Sequence, residues 1–316
     1  MNVPVVLMVF NRPDLARRVL EAIRAAKPGL LLVIADGPRL DQPGEIERCA
    51  ASRALLETVD WPCEVRTDFS SVNLGCRRRI SSGLNWVFQQ VPEAIILEDD
   101  CLPHPSFFGF CSEVLERYRD DPRVMMVSGD NFQPSEWTCR HSYYFSRYAH
   151  IWGWATWARA WRAYDVDMTD WPTFRRTRRF TALFASASER RYWVRTFGAL
   201  YRREVDTWDG QWAFAMRRQG GLAVVPAVNL VSNIGAGKDG THYDRESVTT
   251  DRPVSEIGVL RHPAVVEPDL KADEWEFRHV TAGPAFRRRN RWRRRMARAP
   301  RYLFRAVVES FDLLWK

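Results

Sequence analysis

The feature of this sequence that most constrains its fold is a short apolar run that ends in three consecutive carboxylates. Residues 94–97 are apolar and follow shortly after Pro92, which is typical of a fully buried strand. Glu98, Asp99 and Asp100 come next, and adjacent acids repel one another unless a positive charge lies between them. In open α/β sheets, ligands bind beyond the carboxyl ends of the strands. Because Mg²⁺ and Mn²⁺ prefer carboxylate oxygens and keep positions open for phosphate, the run predicts a metal and phosphate site.

A solvated acidic turn is the alternative interpretation of these three carboxylates. The pair Asp120-Asp121 predicts such a turn, because it lies in a Tyr-Arg-Asp-Asp-Pro-Arg context between a predicted helix and a predicted strand. The triplet differs in that it ends a buried strand and has Pro103 and Pro105 behind it. Taken alone, the triplet leaves both interpretations open.

The residues before the acidic strand alternate between strand and helix patterns. Three successive βα units predict a mostly parallel sheet with helices on both faces, which places the chain in the α/β class. The predicted strands are residues 3–10, 30–35 and 63–67, and the predicted helices reach residue 26 and span 46–59 and 77–89.

Charged side chains follow each of these strands. Arg12 comes after the first strand and Asp36 after the second, and arginines 77–79 open the helix that follows the third. The carboxyl ends of parallel strands meet at one edge of a sheet. We therefore expect these residues to lie near the carboxylates of residues 98–100.

The net charge of +8 is concentrated at the C-terminus. Ten arginines fall between Arg287 and Arg305, and without them the net charge changes from +8 to −2. An arginine-rich run lies next to a predicted helix with an apolar face, and this combination predicts that a tail, residues 286–316, binds an anionic membrane surface. The alternatives are that the tail binds nucleic acid, or that it packs against the body or a second copy of the chain. The apolar face of the predicted tail helix consists of Leu303, Phe304, Val307, Val308, Phe311, Leu314 and Trp315.

The cysteines and the hydropathy pattern together predict a location. Six cysteines are scattered without a Cys-x-x-Cys pair, which is typical of reduced thiols in a cytoplasm. Residues 3–10 lack a basic leader and a cleavage site, and no run approaches the roughly 20 apolar residues that span a bilayer. We predict a cytoplasmic protein, peripherally attached to the inner face of the plasma membrane through its tail.

Residues 143–161 are strongly aromatic, and this segment has two interpretations. It could form an aromatic layer of the core, or it could line a site for a sugar or an acceptor, since aromatic faces stack on the apolar faces of sugars. Both interpretations stay open from the sequence. The aromatic residues are Tyr143, Tyr144, Phe145, Tyr148, Trp152, Trp154, Trp157 and Trp161.

Residues 235–240 match a Gly-x-Gly-x-x-Gly pattern. The pattern lies late in the chain and no apolar helix follows it, so we reject a dinucleotide-binding site. The sequence contains no Walker loop, nucleophile elbow or clustered zinc-ligand motif.

An ordered set of motifs resembles a known family. The motifs are Val-Phe-Asn-Arg-Pro, Ile-Ala-Asp-Gly, Asn-Leu-Gly, Leu-Glu-Asp-Asp and Trp-Asp-x-Gln-Trp, in that order. This order resembles GT-A glycosyltransferases that use nucleotide-diphosphate sugars, and the Glu-Asp-Asp and Trp-Asp motifs resemble N-acetylglucosaminyltransferase I and its bacterial relatives. The resemblance implies a GT-A (Rossmann-like) domain over residues 1–245. We expect a C-terminal extension over 246–285, followed by the basic amphipathic tail over 286–316.

The resemblance also implies roles for the residues at the ends of the strands. Arg12 and Asp36 would hold the nucleotide, with Asp36 accepting a hydrogen bond from a uracil-type N–H. Asp100 would be the chief ligand of Mn²⁺ or Mg²⁺, and Glu98 and Asp99 would face the ribose and the donor sugar.

Two further roles concern the chemical step. Asp209 would be the general base of an inverting transfer, since the acceptor hydroxyl needs a carboxylate on the opposite face of the donor sugar. A leaving diphosphate needs cations around it, and Arg78, Arg79 or His242 could supply them. His242 could instead be a metal ligand.

These inferences predict a metal-dependent inverting glycosyltransferase of the hexosyl or N-acetylhexosaminyl type. The donor would be an NDP-sugar, with UDP favoured, and the acceptor a hydroxyl of a glycan or a lipid-linked saccharide, as in polysaccharide biosynthesis. One alternative is a sugar nucleotidyltransferase, which usually carries a Gly-rich loop with Arg or Lys after the first strand; this chain does not. The other is a nucleic-acid-binding protein, which would explain the arginine tail but not the carboxylates.

Overall fold

The computed structural model describes residues 1–235 and 251–282. The first hundred residues alternate between strands and helices as predicted, and the second strand spans the residues predicted for it. The strands are β1 (Val5–Val9), β2 (Leu30–Ala35), β3 (Glu64–Phe69) and β4 (Glu93–Glu98). The helices between them are α1 (Pro13–Ala26), α2 (Glu45–Ala54) with a 3₁₀ turn at Leu55–Thr58, and α3 (Cys76–Gln90).

The rest of the described chain adds shorter strands and several helices. The strands are β5 (Cys101–Pro103), β6 (Val124–Ser128), β7 (Tyr143–Ser146), β8 (Trp154–Trp157), β9 (Leu222–Pro226) and β10 (Val231–Asn233). The helices are α4 (Ser106–Arg117), α5 (Ala158–Trp161), α6 (Trp171–Phe174), α7 (Arg178–Ala182), α8 (Ala187–Tyr201), α9 (Asp209–Gln219) and α10 (Leu270–Glu276), which continues into a π-helical turn at Phe277–Thr281.

Eight of these strands form one sheet in the order β3-β2-β1-β4-β8-β6-β9-β7. Strands β1 to β4 are parallel, and so are β6 and β9, whereas β8 and β7 run antiparallel to their neighbours. The predicted α/β class with a mostly parallel sheet is therefore confirmed. A separate antiparallel ribbon joins β5 to β10.

The central strands are apolar on both faces because helices cover both faces of the sheet. Along β1, Val5 and Leu7 pack into one apolar core and Val6 and Met8 into the other. All five residues of β1 are buried, which is typical of a central strand in a parallel sheet. In the described part of the chain, the two covered faces leave the ends of the strands open for binding ligands.

The aromatic segment is part of the core. Its eight aromatic residues are each at most 7% exposed, so the alternative in which they line a sugar site is wrong. Trp154 of β8 stacks on Trp208 with 5.4 Å between ring centroids, and it also lies 5.8 Å from the ring of Trp212. The antiparallel strand β8 thus places Trp154 between the sheet and α9, where its ring excludes water instead of meeting a ligand.

The C-terminal segment covers one edge of the sheet. Pro268 forms a bridge with Phe145 of β7, and the backbone N–H of Asp269 donates to the carbonyl of Phe145 at 2.8 Å. Asp273 of α10 then accepts hydrogen bonds from Ser146 and Arg147. The tail predicted over 286–316 lies outside the described residues. Among the residues that are described, no helix is long and apolar enough to cross a membrane.

Candidate active site

The site is built where the parallel strands end. Arg12 lies three residues beyond β1, Asp36 directly follows β2, and Glu98 is the last residue of β4. Strand β1 pairs with β2 on one side and with β4 on the other, in the same direction. Their carboxyl ends therefore share one edge, which we call the ligand edge.

Arg12 neutralises two of the three carboxylates after β4. Its guanidinium donates to Oδ1 of Asp99, and its Nη1 lies 3.0 Å from Oδ2 of Asp100. The backbone N–H of Phe10 donates to the other oxygen of Asp99 at 3.3 Å. Asp99, whose side chain is only 4% exposed, is thus committed to internal contacts, and Asp100 is the more accessible of the pair. We call Arg12, Glu98, Asp99 and Asp100 the acidic cluster.

The acidic cluster carries more negative charge than its single arginine offsets. Burial raises the pKa of Glu98 above its ordinary value, and repulsion from Asp100 and Asp99 raises it further. Burial also raises the pKa of Asp99, although the attraction of Arg12 opposes this. The raised pKa values of Glu98 and Asp99 both show that an additional cation would be favourable at this end of β4.

The donor atoms fit a divalent cation that arrives with a phosphate ligand. Within residues 1–235 and 251–282, no group of three His, Cys, Asp or Glu side chains is arranged to hold a metal ion. Mg²⁺, however, is commonly bound by one or two carboxylates together with substrate phosphates and waters, and not by an all-protein cage. Asp100 can provide such a carboxylate. His242, the other predicted metal or diphosphate contact, lies outside the described residues.

The backbone of residues 233–235 lies against the acidic cluster. Ile234 donates its N–H to the carbonyl of Asp100 at 2.8 Å, and Gly235 donates to the side chain of Asn233 at 2.9 Å. A Cβ atom on Gly235 would collide with Asp100 and Arg12. Sequence reasoning missed this contact, although the rejected glycine pattern, which begins at Gly235, was a signal that the backbone approaches something closely.

Asp36 organises the loop that precedes α3. Its carboxylate accepts backbone hydrogen bonds from Gly37 and Leu74, both at 2.9 Å, and from Gly75 at 3.0 Å. Burial raises the pKa of Asp36, and these three N–H groups oppose that shift. The carboxylate therefore ties the end of β2 to the start of α3. Its predicted contact with a uracil-type N–H remains a prediction.

Helix α3 begins at the ligand edge without a side-chain cap, since Gly75 takes the N-cap position with a φ of 77°. The uncapped N–H groups of such a helix start attract anions. Of the predicted phosphate contacts, Arg78 is exposed, whereas Arg79 is buried and donates to Asp68. The sequence analysis included Arg77 in the arginine triplet without assigning it a role, and its buried guanidinium lies 3.7 Å from Asp167 and 3.9 Å from Asp206.

Asp209, the predicted general base, is the first residue of α9. Thr207 donates its hydroxyl to Oδ1 of Asp209, so this oxygen is held and the other remains for a second partner. The charge of Asp209 contributes to raising the pKa of Glu98 and of Cys76, which places Asp209 within electrostatic range of both. Trp208, the residue before Asp209, stacks on Trp154, which pairs with Ile96 near the carboxyl end of β4. The start of α9 therefore lies on the same side of the sheet as the acidic cluster, although about 110 residues separate them in sequence.

Comparison with known proteins gives distant similarities of shape. No family model matches the chain. Similar solved structures include S. aureus TarS residues 1–349 (8% identity, 72% of this chain and 58% of that chain, TM-score 0.38). The galactosyltransferase LgtC in complex with donor and acceptor sugar analogues is another (13% identity, 80% and 85%, TM-score 0.36). Apo UDP-glucose pyrophosphorylase is a third (8% identity, 74% and 93%, TM-score 0.39).

These similarities are limited in what they show. The chain spans 58% of the length of the TarS structure. The structures include both glycosyltransferases and nucleotide-sugar-forming enzymes, and they show no specific resemblance to N-acetylglucosaminyltransferase I. Identities below 15% and TM-scores below 0.5 do not bear on substrate or reaction.

Proposed function

We propose that this chain is a glycosyltransferase that moves a sugar from a nucleotide-diphosphate donor to a hydroxyl of an acceptor. The observation that carries the proposal is the convergence of the acidic cluster with Asp209 at the ligand edge. The acidic cluster has excess negative charge, so it favours binding of a divalent metal ion together with a diphosphate. Asp209 is a separate carboxylate that can accept the proton of an acceptor hydroxyl. Under this proposal, the metal-bound diphosphate and the acceptor hydroxyl would both be served from one edge.

The donor would lie across the carboxyl ends of β1, β2 and β4. Its diphosphate would face the uncapped start of α3 and the exposed guanidinium of Arg78. A divalent cation held by Asp100 and the diphosphate would offset the negative charge that develops on the leaving group. Asp36 fixes the loop on which the start of α3 depends, and Arg12 holds Asp99 and Asp100 in place.

The acceptor hydroxyl would lie between Asp209 and the anomeric carbon of the donor. The free oxygen of Asp209 would take the hydroxyl proton while the acceptor oxygen forms its bond to that carbon. The bond from the carbon to the diphosphate breaks on the opposite face, so the configuration at the carbon is inverted. Thr207 orients the carboxylate through its hydrogen bond to Oδ1.

Finer features of the proposal follow the motif resemblance. We propose a UDP-sugar of the hexosyl or N-acetylhexosaminyl type as donor, Mn²⁺ or Mg²⁺ as cofactor, and a glycan or lipid-linked saccharide as acceptor. The arginine-rich tail over 286–316 supports attachment to an anionic membrane surface on its cytoplasmic side, where a lipid-linked acceptor would be available.

The test is incubation of the full chain with a set of NDP-sugars and Mn²⁺, with and without EDTA, followed by measurement of NDP release. Asp209→Asn should lower turnover on the order of 10²-fold and leave donor binding near wild type, because general-base catalysis contributes on that scale. Asp120→Asn, in an exposed turn, is the matched control and should retain full activity.

Three outcomes would contradict the proposal or part of it. Pyrophosphate formation from NTP and sugar 1-phosphate would identify a nucleotidyltransferase instead. Retention of the donor's configuration in the product would remove Asp209 from the role of base. Absence of NDP release and of donor binding with every NDP-sugar tested would contradict the proposal as a whole.

A further inference from the structure

A second group of charged side chains lies beyond the end of another parallel strand. Asp130 follows β6 by two residues, His150 lies between β7 and β8, and Glu276 ends α10. Nδ1 of His150 is 3.5 Å from Oδ1 of Asp130, and its Nε2 is 3.4 Å from Oε1 of Glu276. We call these three residues the histidine cluster. It joins parts of the chain that are up to 146 positions apart in sequence.

The histidine cluster is closed to solvent. The side chains of Asp130, His150 and Glu276 are at most 5% exposed, and the ring of Phe132 lies 4.7 Å from the imidazole between centroids. Each ring nitrogen faces a different carboxylate, so one metal ion could not take ligands from all three side chains. The cluster is therefore an imidazole between two carboxylates and not a metal site.

The imidazole is charged in this setting. Burial alone lowers the pKa of His150, but the attraction of Glu276 and then of Asp130 outweighs it and raises that pKa to about 9. Burial raises the pKa of Asp130 above its usual range, and His150 opposes that shift.

Other charged and titratable groups surround the cluster on its remaining sides. Arg252, in the segment before α10, donates to the carbonyls of Phe132 and Gln133 and is attracted to both acids of the cluster. Tyr144 of β7 lies close enough to Glu276 that the charge of Glu276, after the larger effect of burial, raises the pKa of its phenol. Arg252 therefore adds a second positive charge to this region, and the imidazole is the cation whose ring nitrogens lie 3.5 Å and 3.4 Å from the two carboxylates.

We propose that the imidazolium of His150 holds α10, and the segment leading to it, against strand β7 at the border of the sheet; we call this contact the clasp. Helix α10 has only seven residues, and of these Ala272, Asp273 and Glu276 are buried. Two of the three are acids, so polar contacts provide much of its attachment. Without the positive ring, Glu276 and Asp130 would repel each other in a buried place.

The clasp makes docking of α10 depend on one proton. An exposed histidine has a pKa of about 6.5, and His150 in the docked state has a pKa of about 9. The raised pKa means that the stabilisation is fully present below pH 6.5 and is lost as the pH rises through 9. Asp130, with a pKa of about 7, also ionises within this range. Between pH 7 and 9, where Asp130 is ionised, the equilibrium constant for opening α10 should increase by up to about tenfold for each pH unit, and it should then level off.

The first test uses the unaltered chain, so it does not depend on a variant that folds. NMR titration of the histidine side chains should show one ring that remains protonated at pH 8 and titrates near pH 9, and substitution should assign it to His150. A His150 ring that is neutral at pH 7 would overturn the proposal.

The second test compares variants by hydrogen exchange of the α10 amides between pH 6.5 and 9.5. His150→Gln should weaken protection at pH 7 and remove the additional pH dependence. Glu274→Gln, which removes an exposed acid from the same helix, is the matched control and should behave like wild type. The double variant His150→Gln with Glu276→Gln removes the uncompensated acid and should recover much of the protection. Unchanged protection in His150→Gln, or no recovery in the double variant, would contradict the clasp.

Discussion

The acidic cluster and the histidine cluster each offset the repulsion between carboxylates, but they do so with different cations. Both gather carboxylates beyond the end of a parallel strand, and each places one cation between two acids. In the acidic cluster that cation is Arg12, which keeps its charge at every pH that a folded protein meets. In the histidine cluster it is His150, whose charge can be removed.

The two clusters also differ in what surrounds them. Arg12 retains 24% exposure of its side chain and Asp100 retains 14%, so solvent and ligands reach the acidic cluster. The members of the histidine cluster are at most 5% exposed and are closed by Phe132. In the proposed function, the arginine supports a site that must stay charged until a ligand binds. In the proposed clasp, the histidine supports a contact that can be released. Three substitutions test this contrast.

The largest effect on stability should come from Arg12→Ala. It leaves Asp99 buried beside two other acids with no cation, and loss of one partner from such a pair costs about 3 kcal/mol. The free energy of unfolding from urea titration at pH 7 measures this. Arg17→Ala, on the exposed face of α1, is the control and should stay within about 0.5 kcal/mol of wild type. Equal stability of Arg12→Ala and wild type would show that Asp99 does not depend on this arginine.

A smaller effect should come from Glu276→Gln. The substitution removes the largest attraction for the charged ring, so the pKa of His150 should fall by about one unit, which corresponds to about 1.4 kcal/mol at most. NMR titration of the ring measures the shift directly. Glu274→Gln removes an exposed acid from the same helix and should leave that pKa unchanged. An equal shift in both variants would mean that general charge, and not the contact with Glu276, sets the pKa.

The smallest effect on stability should come from Asp100→Asn. The carboxylate is partly exposed and adds to the repulsion on Glu98, so unfolding should change by no more than about 0.5 kcal/mol in either direction. Binding of an NDP-sugar in the presence of Mn²⁺ should nevertheless be lost. The melting temperature, measured with and without the NDP-sugar and Mn²⁺, separates the effect on stability from the effect on binding. Metal-dependent binding that survives in this variant would remove Asp100 from the role of ligand.

The sequence predicts the first half of the fold well because the determining signals are local. The buried run of β2 and the helix pattern between Pro13 and Ala26 each depend on neighbouring residues, and alternating βα units allow few arrangements. The position of Arg12 near the acidic triplet follows from strand direction alone.

The remaining features depend on contacts between distant parts of the chain. The insertion of β8 between β4 and β6 decides that Trp154 is a core residue, and no local pattern distinguishes this from a ligand-facing ring. The histidine cluster unites residues 130, 150 and 276, none of which lies in a motif. Arg79 forms an ion pair with Asp68 of β3, whereas Arg78 is exposed. This difference likewise depends on the packing of α3 against β3 and has no local signal in the sequence.

The two border strands of the main sheet differ in how well they resist self-association of the protein. Strand β3, at one border, carries Glu64, Arg66 and Asp68 at alternate positions, and charges of this kind discourage a foreign strand from adding to the sheet. Strand β7, at the other border, is apolar and aromatic and relies on the bridge to Pro268 for cover. If the segment that carries α10 is released in alkali, the backbone of β7 becomes a template for strand addition. Self-association, visible as light scattering, should therefore precede any loss of secondary structure.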